Sequence, residues 1–228
     1  MEEAWNKIMN SIINAPNIKA HIFDLDGTLI DSMGFWHQID IDYLARRGIS
    51  LPHNYHEYVE NTTPLNPLET AAYAIDFFGL NDTPEEILLE WNQQAAAAYA
   101  SAIPLKSYAK EFLHSLRNLG TKMAIASSAP SVLCIPALRN HDIEHLFDAV
   151  ALSEEVGYGK FKPDVFLLAT KRLGVDPTDC IMYEDNLTAI KTAKSIGMTV
   201  CAVYDEFSKR NWEEIQEISD YVVYDFRF

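Results

Sequence analysis

The sequence predicts an α/β protein in which an all-helical segment is inserted near the start of a parallel sheet. Residues 21–32, HIFDLDGTLIDS, contain a short apolar run closed by Gly27, which is typical of a buried parallel strand that ends in a turn. Residues 33–100 carry helical patterns and no convincing buried strand. From residue 107 onwards helix and strand patterns alternate, which favours a doubly wound sheet with right-handed crossovers.

Helix start and stop signals divide the inserted segment. The predicted helices cover 35–47, 67–78 and 84–102. Gly48 and Gly79 end the first two, and Thr83 followed by proline and two acids starts the third. The stretch 61–67, NTTPLNP, is the most turn-rich part of this segment and is predicted to be a loop.

The remaining elements define the sheet and its crossovers. Strands are predicted at 121–126, 147–152, 180–183, 198–203 and 221–224, with helices at 108–118, from 131 to about 140, at 165–173 and at 187–196. The first fifteen residues have the apolar spacing of an amphipathic helix that packs on the domain. We therefore expect a core formed by 1–32 and 101–228 and a helical cap formed by 33–100.

Composition and charge limit the classes of function. The chain has 228 residues, of which 48% are hydrophobic, as in an ordinary soluble globular protein. Its formal charge of -15 argues against a nucleic-acid-binding surface but leaves room for a small phosphorylated ligand. No apolar run is long enough for a membrane helix, and the first ten residues are acidic where a signal peptide would be basic. We expect a cytoplasmic protein whose cysteines, Cys134, Cys180 and Cys201, are reduced core residues.

Two carboxylates, Asp24 and Asp26, follow the first predicted strand. If strand geometry continues that far, the two side chains share a face at a spacing of roughly 7 Å. Two acids at one strand end repel each other and lose solvation, so a cation would stabilise them. In open α/β sheets ligands bind at this edge, outside the carboxyl ends of the strands.

The later strands deliver further polar groups to the same edge. Ser127 and Ser128 follow the second strand, where hydroxyls and free backbone amides near a helix start hold anions. Lys160 lies in the loop after the third strand, and Glu184 and Asp185 follow the fourth. Taken together, these groups predict a divalent metal site made of carboxylates beside a phosphate site made of hydroxyls, amides and an ammonium.

This ordered set resembles the motifs of the haloacid dehalogenase-like hydrolases. DLDGT at 24–28 looks like the first motif of the family, Ser127 the second, Lys160 the third, and Glu184 with Asp185 the fourth. The spacing is similar to the branch with a helical cap that includes β-phosphoglucomutase-like phosphatases. The resemblance implies a Rossmann-like core, a mobile cap and Mg²⁺-dependent phosphoryl transfer through an aspartyl-phosphate. It favours a phosphatase over a dehalogenase, because the second acid is present at Asp26.

The resemblance also implies a role for each residue. Asp24 would attack phosphorus, and Asp26 would protonate the leaving group and then take a proton from water. The metal would be held by the Asp24 and Asp185 carboxylates and the Asp26 backbone carbonyl, with Glu184 close by or bound through water. The phosphoryl oxygens would be held by Ser127, Ser128 and Lys160.

Phe161 stands where the lysine motif usually has proline, which leaves Lys162 as an alternative to Lys160 for holding the phosphate. Alignment on the following Pro163 favours Lys160. Mutases of this branch carry a histidine on the first cap helix, at about the position of Trp36, and an arginine in the cap loop. The predicted cap loop here, NTTPLNP, contains no arginine. The prediction is a phosphatase of a small phosphorylated metabolite, a sugar phosphate or a nucleotide, with a sugar phosphomutase as the alternative.

Two alternatives come from other classes. In a signalling protein, Asp24 would be a long-lived phosphate acceptor, and in a silent metal-binding protein it would bind Mg²⁺ without reaction. The general acid at Asp26 and the helical insertion argue against the signalling protein, and the metal-binding protein requires Mg²⁺ binding with no reaction at all. Neither the exact substrate nor the oligomeric state follows from the sequence.

Overall fold

The computed structural model describes residues 11, 12, 15 and 17–227. Ser11 and Ile12 are helical, and Ile12 is fully buried in the core. The rest of the predicted N-terminal amphipathic helix lies outside the described residues.

Six parallel strands form one sheet in the described chain, in the order β3-β2-β1-β4-β5-β6. They are β1 (Ala20–Phe23), β2 (Lys122–Ser127), β3 (Ala149–Leu152), β4 (Cys180–Glu184), β5 (Thr199–Val203) and β6 (Tyr221–Val223). The order reverses direction next to β1, so the strand ends around β1 form the crevice where ligands bind in such sheets. This arrangement confirms the predicted α/β fold class.

Helices cover both faces of the sheet. They are α1 (Met33–Arg46), α2 (Tyr55–Thr62), α3 (Pro67–Phe78), α4 (Pro84–Ser101), α5 (Ala109–Asn118), α6 (Ser131–Asn140), α7 (Ser153–Val156), α8 (Asp164–Leu173), α9 (Leu187–Ser195) and α10 (Trp212–Ile218). Single turns of 3₁₀ helix lie at Glu144–Leu146 and Pro177–Asp179, and a longer one at Glu206–Asn211. Helices α1 to α4, which follow one another without an intervening strand, are called the insertion below.

Side chains of the central strands alternate between two hydrophobic clusters, one on each face of the sheet. Phe23 and Tyr183 belong to one cluster and stack with ring centroids 4.3 Å apart, whereas Ile22 and Met182 belong to the other. Because β1 and β4 are paired in register, with Phe23 opposite Tyr183, the residues that follow both strands emerge side by side. Burial on both faces thus fixes where the polar strand ends lie.

Helix α2 was not predicted, and its first residues fall in a stretch with weak apolar periodicity. Tyr58 is its buried anchor and packs against Tyr73, Phe77 and Phe78 of α3. Packing against a neighbouring helix therefore stabilises α2 more than its own sequence does. The loop predicted at 61–67 is shorter than expected, because 61 and 62 belong to α2.

The insertion is joined to the sheet by two adjacent segments. Ile30 forms a bridge with Leu105, Asp31 N donates to Pro104 O at 2.9 Å, and Lys106 N donates to Leu29 O at 2.8 Å. The chain therefore enters and leaves the insertion at one place. The division into a core and a cap at 33 and 100 remains a prediction.

The three cysteines are buried and unpaired, in agreement with the sequence prediction. In the described part of the chain, no helix has both the length and the apolar character needed to cross a membrane.

Candidate active site

Asp24 is the first residue after β1 and is 6% exposed. Its backbone N donates to Tyr183 O at 3.0 Å, which continues the pairing with β4 by one residue. The turn that follows is closed by Leu25 O, which accepts hydrogen bonds from the amides of Leu29 and Ile30, both at 2.9 Å. The predicted spacing of Asp24 and Asp26 on one face stays a prediction, and the structure places Asp26 in an isolated bridge with Ile30 just before the turn that begins at Gly27.

Lys160 lies between two buried carboxylates. Its Nζ contacts Asp24 Oδ1 and donates to Glu184 Oε2 at 2.8 Å, and the lysine is only 3% exposed. Burial alone would lower the pKa of Lys160, but the charges of Asp24 and Glu184 outweigh it and raise the pKa. Lys160 is therefore a permanent cation here. Lys162, the alternative, has its Nζ 3.3 Å from the centre of the Tyr158 ring instead.

Three carboxylates converge beside this lysine. Oxygens of Asp24, Glu184 and Asp185 all lie within 4.8 Å of one another, and all three residues are buried. Burial, followed by the charge of Glu184, raises the pKa of both Asp24 and Asp185. Hard oxygen donors at this spacing are the ligands that Mg²⁺ takes in proteins, so the residues present fit this ion.

Gly27 allows the turn after β1 to approach Asp185. Its φ of 79° lies in the left-handed region, and a Cβ there would stand 2.6 Å from Asp185 Oδ2. Thr28 adds a second contact, with its Oγ1 donating to Asp185 Oδ1 at 3.0 Å. The DxDGT sequence thus positions the carboxylate of a different strand as well as its own two.

Asp26 is held by groups that the sequence did not reveal. Its Oδ1 accepts hydrogen bonds from Ser32 Oγ at 2.6 Å and from the Tyr99 hydroxyl of α4. Tyr99 in turn accepts a hydrogen bond of 2.6 Å from Trp36 Nε1 of α1. Burial raises the pKa of Asp26, and the Ser32 and Tyr99 hydrogen bonds oppose that rise. Because both donors use Oδ1, the other oxygen is left for proton transfer.

Ser127 and Ser128 lie at the carboxyl end of β2, as predicted. Ser127 is fully buried, and its Oγ accepts a hydrogen bond of 3.0 Å from Ala129 N. Ser128 Oγ lies 3.4 Å from Ser153 Oγ. Both serines line the same cavity as Asp24 and Lys160, so the structure brings all the predicted site residues to one edge of the sheet.

This edge faces a cavity of about 170 Å³ between the sheet and the insertion. From the insertion, α1 contributes Met33, Trp36, His37 and Asp40, spaced so that they share one helix face. Helix α2 contributes Tyr55 and Tyr58 among others. The reacting groups therefore open onto a chamber whose far wall belongs to the insertion.

The insertion also touches the loop that carries Lys160. Glu69 Oε2 accepts hydrogen bonds from Asn66 N at 2.8 Å and from Gly159 N at 3.0 Å, and Asn66 Nδ2 donates to Gly157 O at 3.2 Å. A Cβ at Gly159 would lie 2.3 Å from Pro64 O. The start of α3 is thus seated directly on the segment before Lys160.

Fold and site together define an α/β enzyme with a carboxylate-rich active site at the carboxyl edge of a parallel sheet. The model of the haloacid dehalogenase-like hydrolases matches residues 18–197. The chain belongs to this family, as the motif resemblance predicted.

Similar proteins agree with this assignment. Hexitol phosphatase B of Escherichia coli (strain K12) is 26% identical over 181 residues, which cover 79% of this chain and 81% of that protein. Among solved structures, CbbY from Rhodobacter sphaeroides in complex with xylulose-(1,5)bisphosphate has a TM-score of 0.80 at 20% identity, covering 92% of this chain and 95% of that chain. A β-phosphoglucomutase from Clostridium difficile has a TM-score of 0.78 at 20% identity, covering 92% of each chain. At such identities the two structures establish the fold.

Proposed function

We propose that this phosphoric monoester hydrolase is Mg²⁺-dependent and releases phosphate from a small phosphorylated metabolite of the sugar phosphate class, through an aspartyl-phosphate on Asp24. The observation that carries the proposal is the convergence of three carboxylates and one buried lysine on one cavity. The similarity to a hexitol phosphatase favours a sugar or sugar alcohol over a nucleotide as the leaving group.

The first step transfers the phosphoryl group to the enzyme. A carboxylate oxygen of Asp24 attacks phosphorus, and the bond from phosphorus to the ester oxygen breaks. Asp26 delivers a proton to that oxygen, so the alcohol leaves in neutral form. The raised pKa of Asp26 suits this role, because it keeps the acid protonated closer to neutral pH.

The second step releases phosphate. Water attacks phosphorus of the aspartyl-phosphate, the bond to Asp24 breaks, and the carboxylate of Asp26 takes the proton of the water. Asp26 thus carries one proton in each direction. Ser32 and Tyr99 hold its Oδ1 throughout, which leaves the same oxygen, Oδ2, to serve both steps.

The groups around Asp24 and Asp26 would stabilise the negative charge of the phosphoryl group. Lys160, now paired with Asp24 and Glu184, can exchange these contacts for phosphoryl oxygens, with Ser127 and Ser128 nearby. Asp24, Asp185 and the Asp26 carbonyl would hold Mg²⁺, with Glu184 close by or acting through water. The bound ion supplies positive charge that allows an anionic nucleophile to approach an anionic ester.

We also propose that the insertion acts as the cap over this site. Its contacts with the Gly157 to Gly159 segment close one side of the cavity next to Lys160. Since the chain enters and leaves the insertion at one place, we place the hinge of its movement at residues 30–32 and 103–106, and such a movement would slide α4 along the core helix α6 that it packs against.

A sugar phosphomutase has no support from the cavity. Among its described lining residues, Lys160 is the only lysine or arginine, and Trp36 is occupied by its hydrogen bond to Tyr99. A second phosphate therefore lacks a cationic partner in this chamber. Formation of an isomerised sugar phosphate would favour the mutase over the hydrolase.

Phosphate release from a panel of sugar phosphates, nucleotides and p-nitrophenyl phosphate tests the proposal. We expect turnover with Mg²⁺, loss of turnover on chelation, and a fall of at least about 10⁴-fold in Asp24→Asn. Exposed Asp42→Asn on α1 is the matched control and should retain the wild-type rate. No release from any member of the panel, or a wild-type rate in Asp24→Asn, would contradict the proposal.

A further inference from the structure

Asp40 places a carboxylate on the far wall of the cavity. It lies on the face of α1 shared by Met33, Trp36 and His37, two turns beyond Ser32. Ser32, which precedes α1, donates a hydrogen bond to Asp26. Because a helix rises 1.5 Å per residue, Asp40 lies roughly 12 Å along the helix axis from Ser32. Asp40 therefore lines the part of the cavity away from the carboxylate cluster.

This carboxylate is only half satisfied. The Tyr55 hydroxyl donates to Asp40 Oδ2 at 2.6 Å, and no donor from the described residues reaches Oδ1. Burial raises the pKa of Asp40 to about 7, although the Tyr55 hydrogen bond opposes the rise. Asp40 is half-buried and lines the cavity, so a donor on a bound ligand can reach the oxygen that Tyr55 leaves free.

Among the described residues, no lysine or arginine lies beside Asp40 in the cavity. The insertion contains two cationic residues, Arg46 and Arg47, and both are paired with acids of the insertion. Lys160 is the only lysine or arginine in the described lining, and it is engaged by Asp24 and Glu184 at the opposite end. Asp40 therefore presents its carboxyl to the chamber without a lysine or arginine beside it.

The groups beside Asp40 offer hydrogen bonds and aromatic surfaces. The buried Nδ1 of His37 has no hydrogen-bond partner in the described chain, and His37 lines the cavity. Its ring lies 5.0 Å from that of Tyr55 and 5.9 Å from that of Phe207. Such a wall combines flat apolar faces with a few polar atoms, as in sites that bind sugars or small amines.

We propose that Asp40 accepts a hydrogen bond from the leaving group, so that the enzyme selects monophosphates carrying a hydroxyl or ammonium group at that position and rejects a second phosphate there. This inference rests on the proposed function and names the substrate class of the same site. Discrimination follows from charge: a hydroxyl or an ammonium satisfies Oδ1, whereas a phosphate would meet a carboxylate of the same sign with no cation between them.

Two matched substrate pairs test the subsite in Asp40→Asn. Fructose 6-phosphate and fructose 1,6-bisphosphate differ by the second phosphate, and glucosamine 6-phosphate and glucose 6-phosphate distinguish an ammonium from a hydroxyl. In Asp40→Asn we expect kcat/KM for fructose 6-phosphate relative to the bisphosphate to fall about tenfold, because a charged acceptor and a repulsive charge are both removed. A selective loss for glucosamine 6-phosphate identifies an ammonium as the preferred donor, and equal losses for both aldoses identify a hydroxyl.

The control and the readout keep this question separate from catalysis. Asp42→Asn removes an exposed charge from the same helix and should retain the wild-type ratios. The same ratios are measured as Kd by calorimetry in the Asp24→Asn background with Mg²⁺ present. Absence of phosphate release contradicts the proposed function alone, whereas Kd ratios that stay within twofold of those without the Asp40 change overturn the subsite. Asp40→Ser gives the same comparison if the asparagine variant melts early.

Discussion

The sheet edge and the insertion wall enclose one cavity but handle charge in opposite ways. At the edge, Asp24, Glu184 and Asp185 crowd together, and Lys160 partly compensates them from inside the protein. On the wall, a single carboxylate, Asp40, stands among aromatic rings with one hydrogen bond. In the proposed reaction, the groups at the edge react and the wall contacts what the reaction releases. The difference suggests that chemistry and selectivity can be changed separately.

Lys160→Met gives the largest expected effect and tests the compensation at the edge. Removing the ammonium leaves Asp24 and Glu184 buried without their partner, so we expect kcat to fall by about 10²- to 10³-fold. Phosphate release under saturating substrate measures it. Lys162→Met is the matched control from the same loop, since Lys162 contacts the Tyr158 ring, and should stay within twofold of wild type. Equal losses in the two variants would remove the distinction between these lysines.

Asp40→Asn gives an intermediate effect on stability and tests the uncompensated charge of the wall. The folded pKa of Asp40, about 7, lies above the unfolded value of roughly 3.9, so its contribution to stability is complete below pH ~4 and is lost as pH rises to 7. Asparagine does not ionise. From pH 4 to pH 7 the unfolding free energy of Asp40→Asn should therefore gain about 2 kcal/mol on wild type, after allowance for partial exposure.

Urea unfolding of both proteins at several pH values measures this gain. Asp42→Asn, on the exposed side of α1, should show no such gain. A difference between Asp40→Asn and wild type that does not change with pH would mean that Asp40 is compensated by a group the contacts do not reveal.

Tyr99→Phe gives the smallest effect and tests the link between the two regions. The substitution removes the hydrogen bond to Asp26 and leaves Trp36 Nε1 without its acceptor, while the ring and its packing remain. We expect kcat to fall about tenfold with little change in KM, because the hydroxyl orients the proton carrier and touches no substrate. Tyr73→Phe, also in the insertion and outside the cavity lining, is the control. A fall in affinity without a fall in kcat would place Tyr99 in substrate binding instead.

The residues at the sheet edge could be predicted from the sequence, whereas those of the insertion wall could not. Asp24, Lys160 and Asp185 follow strands whose apolar runs are clear, and the parallel topology then brings them to one edge. Apolar periodicity does not show that β1 ends at Phe23, before both acids, or that the turn at Gly27 brings Asp185 against them.

The insertion wall is formed by packing between helices, and such contacts cannot be recognised from the sequence around each residue. Tyr99 lies in an alanine-rich helix and has the pattern of an ordinary core residue, so nothing in the sequence marks its hydroxyl as a partner of Asp26. Asp40 reads as a polar residue on a surface helix until α2 brings Tyr55 against it. Since α2 itself depends on the aromatic packing of Tyr58, the wall appears only once the tertiary structure is known.

Trapping of the phosphorylated enzyme tests the proposed role of Asp24 most directly. After rapid acid quench during turnover, borohydride reduces an acyl phosphate on aspartate to the alcohol, which converts that residue to homoserine for detection by peptide mass spectrometry. We expect homoserine at position 24 alone, dependent on substrate and Mg²⁺ and absent from Asp24→Asn. Substrate-dependent reduction at a different carboxylate, with position 24 unchanged, would contradict it.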